Sequence, residues 1–166
     1  MAQLISQLPV QLLRAEFADV EQMCDTVRSW DLDFQPLGAA KGLERVGVID
    51  QRRSRLCEVG YGRISTTIEQ RGAPPAGAYT FVVLAPRMRR LWWRGRDVDS
   101  TTVLVFPVGS ELQSISGPDF EIFTISVTEE TVAAVCERFG LVLPPKRLRA
   151  ETFRPAPSRL VSLRQG

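Results

Sequence analysis

Val103-Leu104-Val105-Phe106-Pro107-Val108-Gly109-Ser110-Glu111 sets four consecutive apolar residues directly before a proline-glycine turn. A short apolar run bounded by turn residues predicts a strand covered on both faces, since a half-exposed strand would alternate apolar with polar. Phe81-Val82-Val83-Leu84 repeats the pattern earlier in the chain. Glu121-Ile122-Phe123-Thr124-Ile125-Ser126-Val127 alternates instead. So does Arg63-Ile64-Ser65-Thr66-Thr67-Ile68-Glu69, where Ile64, Thr66 and Ile68 share a face.

Working outward, β-like runs over 31–37, 43–50, 54–61, 63–71, 78–85, 90–94, 102–107 and 120–127 are separated by turns such as Pro74-Pro75, Gly95 and Gly117-Pro118. Such regularly spaced short strands predict a sandwich or barrel of jelly-roll type. Residues 10–16 fit a short strand or an irregular arm equally well.

Helical periodicity flanks this region. Val20, Met23, Cys24, Val27 and Trp30 form one apolar stripe behind Asp19, an N-cap residue with Gln22 at the capping-box position. A second helix is predicted over 129–139. Thr128 is its N-cap, Glu129 and Glu130 lie in its first turn, and Gly140 is its C-cap. Its stripe is Val132, Val135, Cys136 and Phe139, suited either to a subunit interface or to packing on the chain's own strands.

The chain has 166 residues, enough for one domain with a real core, and contains no histidine. That excludes Ser-His-Asp and Cys-His relays and imidazole-ligated metals. Cys24, Cys57 and Cys136 make no CxxC pair, which speaks against a zinc knuckle or a redox dithiol and fits buried reduced thiols. The first 17 residues lack the pattern of a secretory signal, and no apolar run approaches the roughly 20 residues of a membrane span. A cytoplasmic location is expected. The net charge of +2 is uneven: residues 146–166 carry six basic groups and one acid, leaving −3 on residues 1–145. The division expected is one domain over 1–143, then a basic linker and the start of a helix over 144–166.

Three constellations of residues could carry chemistry. Arg87, Arg89, Arg90, Arg94 and Arg96 interleave with Trp92 and Trp93, a pattern that suits single-stranded nucleic acid or a solvated hairpin with one tryptophan inside. The body's negative charge favours the hairpin. Polar residues within β runs, namely Tyr61, Arg63, Thr66, Tyr79 and Trp93, are candidates to bind a ligand in a barrel pocket, against the plainer reading of water-facing strand positions. The carboxylate pairs Asp97/Asp99 and Glu44/Asp50 lie in turn-like sequence. No phosphate-loop, dinucleotide or nucleophile-elbow motif is present.

The stretch Arg94-Gly95-Arg96-Asp97-Val98 followed by residues 103–111 resembles the second half of a cupin. The resemblance implies a cupin-like (jelly-roll) β-barrel, mainly β with flanking helices. It places Leu112 where cupins carry a histidine metal ligand, and Thr101 where the pattern has glycine. No metal and no cofactor are expected. The wider layout resembles the N-terminal domain of AraC-family transcriptional regulators: Trp30-Asp31, Phe34-Gln35-Pro36-Leu37-Gly38, Trp93-Arg94-Gly95, Pro107 to Glu111, the helix after Val127-Thr128, and a tail with Pro155-Ala156-Pro157-Ser158-Arg159-Leu160. That resemblance implies a non-catalytic domain that senses a small-molecule effector and forms a homodimer through Val132, Val135, Cys136 and Phe139. DNA would be bound only by a further helix-turn-helix domain, and the helix starting at Ser158 is expected to lead towards it. The alternatives are a metal-free cupin enzyme of isomerase type and an interaction barrel without a ligand.

Overall fold

The computed structural model describes residues 10–38, 45–88, 91–143 and 151–165. It contains strands β1 (Gln11–Phe17), β2 (Asp31–Pro36), β3 (Gly47–Arg53), β4 (Cys57–Ile64), β5 (Ile68–Ala73) and β6 (Ala78–Leu84). After these come β7 (Leu91–Trp93), β8 (Arg96–Val98), β9 (Val103–Phe106), β10 (Leu112–Ser116), β11 (Phe120–Thr128) and β12 (Glu151–Phe153). The helices are α1 (Val20–Thr26), α2 (Glu129–Phe139) and α3 (Pro157–Gln165).

Two antiparallel sheets result, one in the order β1-β3-β4-β11-β6-β9-β12 and one in the order β2-β5-β10-β7-β8. The pairs nest like brackets: β4 with β11, β5 with β10, β6 with β9, and β7 with β8. Such nesting is one long hairpin rolled over itself, the pairing of a jelly roll. The fold is therefore mainly β with flanking helices, in a jelly-roll arrangement.

Strand parity then decides what lies inside. On the first sheet Gly47, Ile49 and Gln51 face Ile64, Gly62 and Gly60 across β3 and β4, and these face Phe120, Ile122 and Thr124 on β11. The main core joins Val82, Leu84, Leu104 and Phe106 to Met23 of α1, to Val27 just after it, and to Leu91 and Trp93 of the second sheet. The two apolar runs are covered on both faces, as their composition predicts. Val83 and Val103 point outward from β6 and β9 and are covered by Leu160 of α3, with Phe81 and Phe123 alongside.

That cover corrects one expectation. The stretch before Pro157, read as linker, includes β12, which pairs with β9 over Val105, Leu104 and Val103. The guanidinium of Arg164 donates to the carbonyl of Leu84 (Nη2, 2.9 Å) and to that of Ser100. The tail, beyond residues 144–150 (outside the described residues), is thus attached to the sheet wall.

Other boundaries differ for local reasons. Residues 11–17 are a strand. α1 stops at Thr26, whose hydroxyl donates to the Gln22 carbonyl, so Trp30 lies in the following turn and not on the helix. Asp19 caps α1 by accepting from the Gln22 N–H at 2.7 Å. The run 63–71 breaks between Ile64 and Ile68, where the chain passes from one sheet to the other. The strand at 112–116 is absent from the sequence reading because Ser114 and Ser116 look like loop residues. Both are fully buried, satisfied by Gln70. Gly72 has φ of +137° and passes so close to β2 that a Cβ there would lie 1.8 Å from the Asp31 carbonyl oxygen, so only glycine fits.

Candidate functional site

Between the two sheets lies a cavity of about 70 Å³. Its walls are apolar: Val27, Leu32 and Phe34 come from the α1–β2 segment, and Ile49, Ile122, Leu104 and Phe106 from the first sheet. Lining it as well are Gln51, Gln70, Ser114 and Thr124, and no charged side chain borders it among the described residues.

At two of its inward positions β4 carries glycine, with Glu58 and Ile64 on the same face. Gly60 and Gly62 both border the cavity. A Cβ on Gly60 would lie 2.6 Å from Thr124 Oγ1, and one on Gly62 would lie 3.2 Å from Ile49 Cδ1. Gln51, Gly60 and Thr124 form one cross-strand row, so an amide and a hydroxyl flank a bare stretch of backbone. Thr124 is buried, yet its hydroxyl has no hydrogen-bond partner among the described residues. Opposite, on the second sheet, Ser114 Oγ donates to Gln70 Oε1 at 2.6 Å and Gln70 Nε2 donates to Ser116 Oγ at 3.2 Å. These bonds leave the Gln70 amide one further N–H and one further lone pair.

At the cavity's edge a single buried carboxylate gathers three donors. Glu58 Oε1 accepts from Ser29 Oγ (3.1 Å), Trp30 Nε1 (3.3 Å) and Gln51 Nε2 (3.4 Å). Trp30 and Gln51 both border the cavity, so Glu58 fixes two of its walls from behind. A buried carboxylate requires such partners, because its desolvation would otherwise be prohibitive.

The candidates named from sequence are scattered. Tyr61 borders the cavity, but its ring packs on Phe123 (centroids 5.4 Å apart) on the outer side of the sheet, and its hydroxyl donates to Glu121 at 3.1 Å. Burial raises its phenol above the ordinary value near 10, with the Glu121 hydrogen bond adding to the effect. Arg63 is exposed and pairs with Asp119 at 2.9 Å. Thr66 is buried in the turn between β4 and β5 and does not border the cavity. Tyr79 is buried on β6 with the parity of Phe81 and Val83, the outward set. Trp93 is the inward member of the tryptophan pair, 1% exposed, and meets Phe106 edge-on at 6.2 Å, while Trp92 faces water at 41%. The cavity's polar groups went unnamed in sequence. The available signal was parity: Gly60, Gly62 and Thr124 share the inward register with Ile64, Phe120 and Ile122.

Among the carboxylate pairs, Asp99 has a structural role. Asp99 accepts from the Thr101 hydroxyl (2.6 Å) and the Thr101 N–H (2.9 Å), which hold its carboxyl below the ordinary range. Arg89, Arg90 and Glu44 lie outside the described residues. No group of three His, Cys, Asp or Glu side chains able to hold a metal occurs among the described residues. Leu112, at the position where the cupin resemblance puts a metal ligand, lines the cavity with an aliphatic side chain that cannot coordinate, so the family's metal does not fit these residues. No helix among the described residues is long and apolar enough to cross a membrane. On α2, Val132 and Cys136 are half-buried, whereas Val135 (46%) and Phe139 (67%) are exposed on one face.

No protein-family model matches the chain. No curated protein matches it either. Solved structures similar to the chain at low identity include the following. The plu4264 protein from Photorhabdus luminescens is 14% identical, with 66% of this chain and 86% of that one covered and a TM-score of 0.35. The EutQ protein of Clostridium difficile is 15% identical, covering 62% and 72%, with a TM-score of 0.33. Vicilin from hazelnut, Corylus avellana, is 10% identical over 84% of this chain, which spans about half of vicilin (51%), with a TM-score of 0.35.

Proposed function

We propose that this jelly roll is the effector-sensing and dimerisation domain of a transcriptional regulator of AraC type, with a small molecule held in the cavity and no catalysis of its own. The observation that carries this reading is a shared wall. Val82, Leu104 and Phe106 of β6 and β9 border the cavity, while Val83 and Val103 of the same strands hold Leu160 of α3 on the other side. A ligand that prefers one packing of that wall shifts the docking of the C-terminal helix by its difference in affinity for the two states. Attached to α3, a DNA-binding module would receive that shift. The basic stretch beginning at Lys146 adds favourable phosphate electrostatics.

Dimerisation is assigned to α2. Val135 and Phe139 lie four residues apart on one face and are exposed among the described residues, at 46% and 67%. Phe139→Asp is expected to leave the fold intact and convert a dimer to a monomer in sedimentation. A wild-type chain that remains monomeric at high micromolar concentration removes this part of the proposal.

The sensing role is tested by hydrogen exchange. A metabolite found by thermal shift should change protection in residues 151–165 as well as around the cavity. Stabilisation of the cavity strands with no change in 151–165 would overturn the sensor reading.

A further inference from the structure

We infer that the cavity selects a small uncharged molecule with an apolar body and one hydroxyl or carbonyl, which settles over Gly60 between Thr124 and Gln51. The inference rests on the cavity being a ligand site and adds the chemical class of the occupant. Three observations define it. The first is charge. No ionised side chain among the described residues borders the cavity, and the buried Glu58 beside it already has three donors on one oxygen. A charged ligand would lose its hydration there without gaining a counter-ion, which is prohibitive in an apolar enclosure.

The second is the orphaned hydroxyl. Thr124 Oγ1 leans over Gly60, has no partner among the described residues and belongs to a residue 7% exposed. Thr124 borders the cavity, so this unpaired hydroxyl is available to bond a polar atom of an occupant. A hydroxyl both donates and accepts, so it serves an alcohol or a carbonyl. Gln51 stands on the other side of Gly60 in the same cross-strand row, with its Nε2 held by Glu58.

The third is size. At roughly 10–15 Å³ for each water-sized sphere, the cavity holds about six non-hydrogen atoms. The apolar body then packs on Ile49, Ile122, Leu32 and Phe34.

Four probes of matched size separate the possibilities: cyclopentanol, cyclopentane, isobutyrate and cyclopentylammonium. Methyl NMR shifts of Ile49 and Ile122 report occupancy directly. Cyclopentanol is expected to bind about fivefold more tightly than cyclopentane, the usual worth of one net hydrogen bond. The two ionic probes should bind at least about tenfold more weakly. Thr124→Val should bring cyclopentanol and cyclopentane to parity, while Thr124→Ser keeps the preference. Should Thr124→Val fail to fold, Gln51→Met reduces the preference from the other side of Gly60. Tighter binding of an ionic probe overturns the ligand class and leaves the ligand-site reading standing. An alcohol preference unchanged in Thr124→Val overturns the role of Thr124. Unmoved Ile49 and Ile122 methyls with all four probes at saturation overturn both the class and the site.

Discussion

The indole N–H of Trp30 donates to Glu58 Oε1 at 3.3 Å, joining the turn after α1 to the inward face of β4 across 28 residues of sequence. Ser29 and Gln51 share that oxygen, while Arg53 approaches the other at 3.9 Å. One buried carboxylate thus holds the α1–β2 segment against the cavity.

Glu58→Ala should therefore lower unfolding free energy by about 2 kcal/mol, the usual cost of losing charge-assisted bonds and stranding their donors. Glu58→Gln, which keeps an acceptor, should lose about half as much. Urea denaturation followed by tryptophan fluorescence measures both. Midpoints equal to wild type would show that the three contacts add nothing to stability.

Gly60 and Thr124 should be coupled. Gly60→Ala puts a methyl against Thr124 Oγ1 and should cost about 1–3 kcal/mol by overpacking. Thr124→Ala removes the obstructing oxygen, so the double variant should be more stable than the two single losses predict. A double-mutant cycle that closes additively would refute the contact.

Leu160→Ala should release the tail more than it unfolds the domain. Burial of this leucine against Val83 and Val103 is the main apolar anchor of α3, and its truncation costs about 2 kcal/mol or more. Limited proteolysis after residue 153 should accelerate, with Arg164→Ala giving a smaller effect. Unchanged cleavage rates in both variants would mean that the tail is held by other contacts.

Tyr61 should give an alkaline dependence. Its folded value is raised, by burial first and by Glu121 second. Stability from this group is thus fully present below its ordinary value near 10 and is lost as pH rises through the folded value. Urea midpoints of Tyr61→Phe should fall less steeply than wild type between about pH 9 and 11. Parallel slopes would contradict the assignment.

Asp99 should act in the opposite range. Its folded value is lowered, chiefly by the Thr101 hydroxyl. Its contribution is present above the ordinary carboxyl value and disappears as pH falls through the folded one. Asp99→Asn should flatten the acid limb of the stability profile by a fraction of a kcal/mol, since the side chain is 44% exposed and screened by solvent. An acid limb identical to wild type would rule this out.

By itself the sequence determined the β class, the jelly-roll expectation, the caps of α1 and α2, and the double cover of Phe81–Leu84 and Val103–Phe106, because propensity, capping and hydrophobic alternation are local. It also determined that one tryptophan of the 92–93 pair lies inside, since adjacent strand residues point opposite ways. Which one does so was decided by pairing: Ser114 stands opposite Trp93, which brings it to Phe106. Only the tertiary structure decided where the cavity is. Gly60 and Gly62 carry no side chain to show a face until β4 pairs with both β3 and β11 and turns them inward. Likewise Ser114 and Ser116 read as loop until Gln70, more than 40 residues away, satisfies them in the interior. Parity says which residues share a face, but partners distant in sequence decide which face is buried and whether a polar group there is paired.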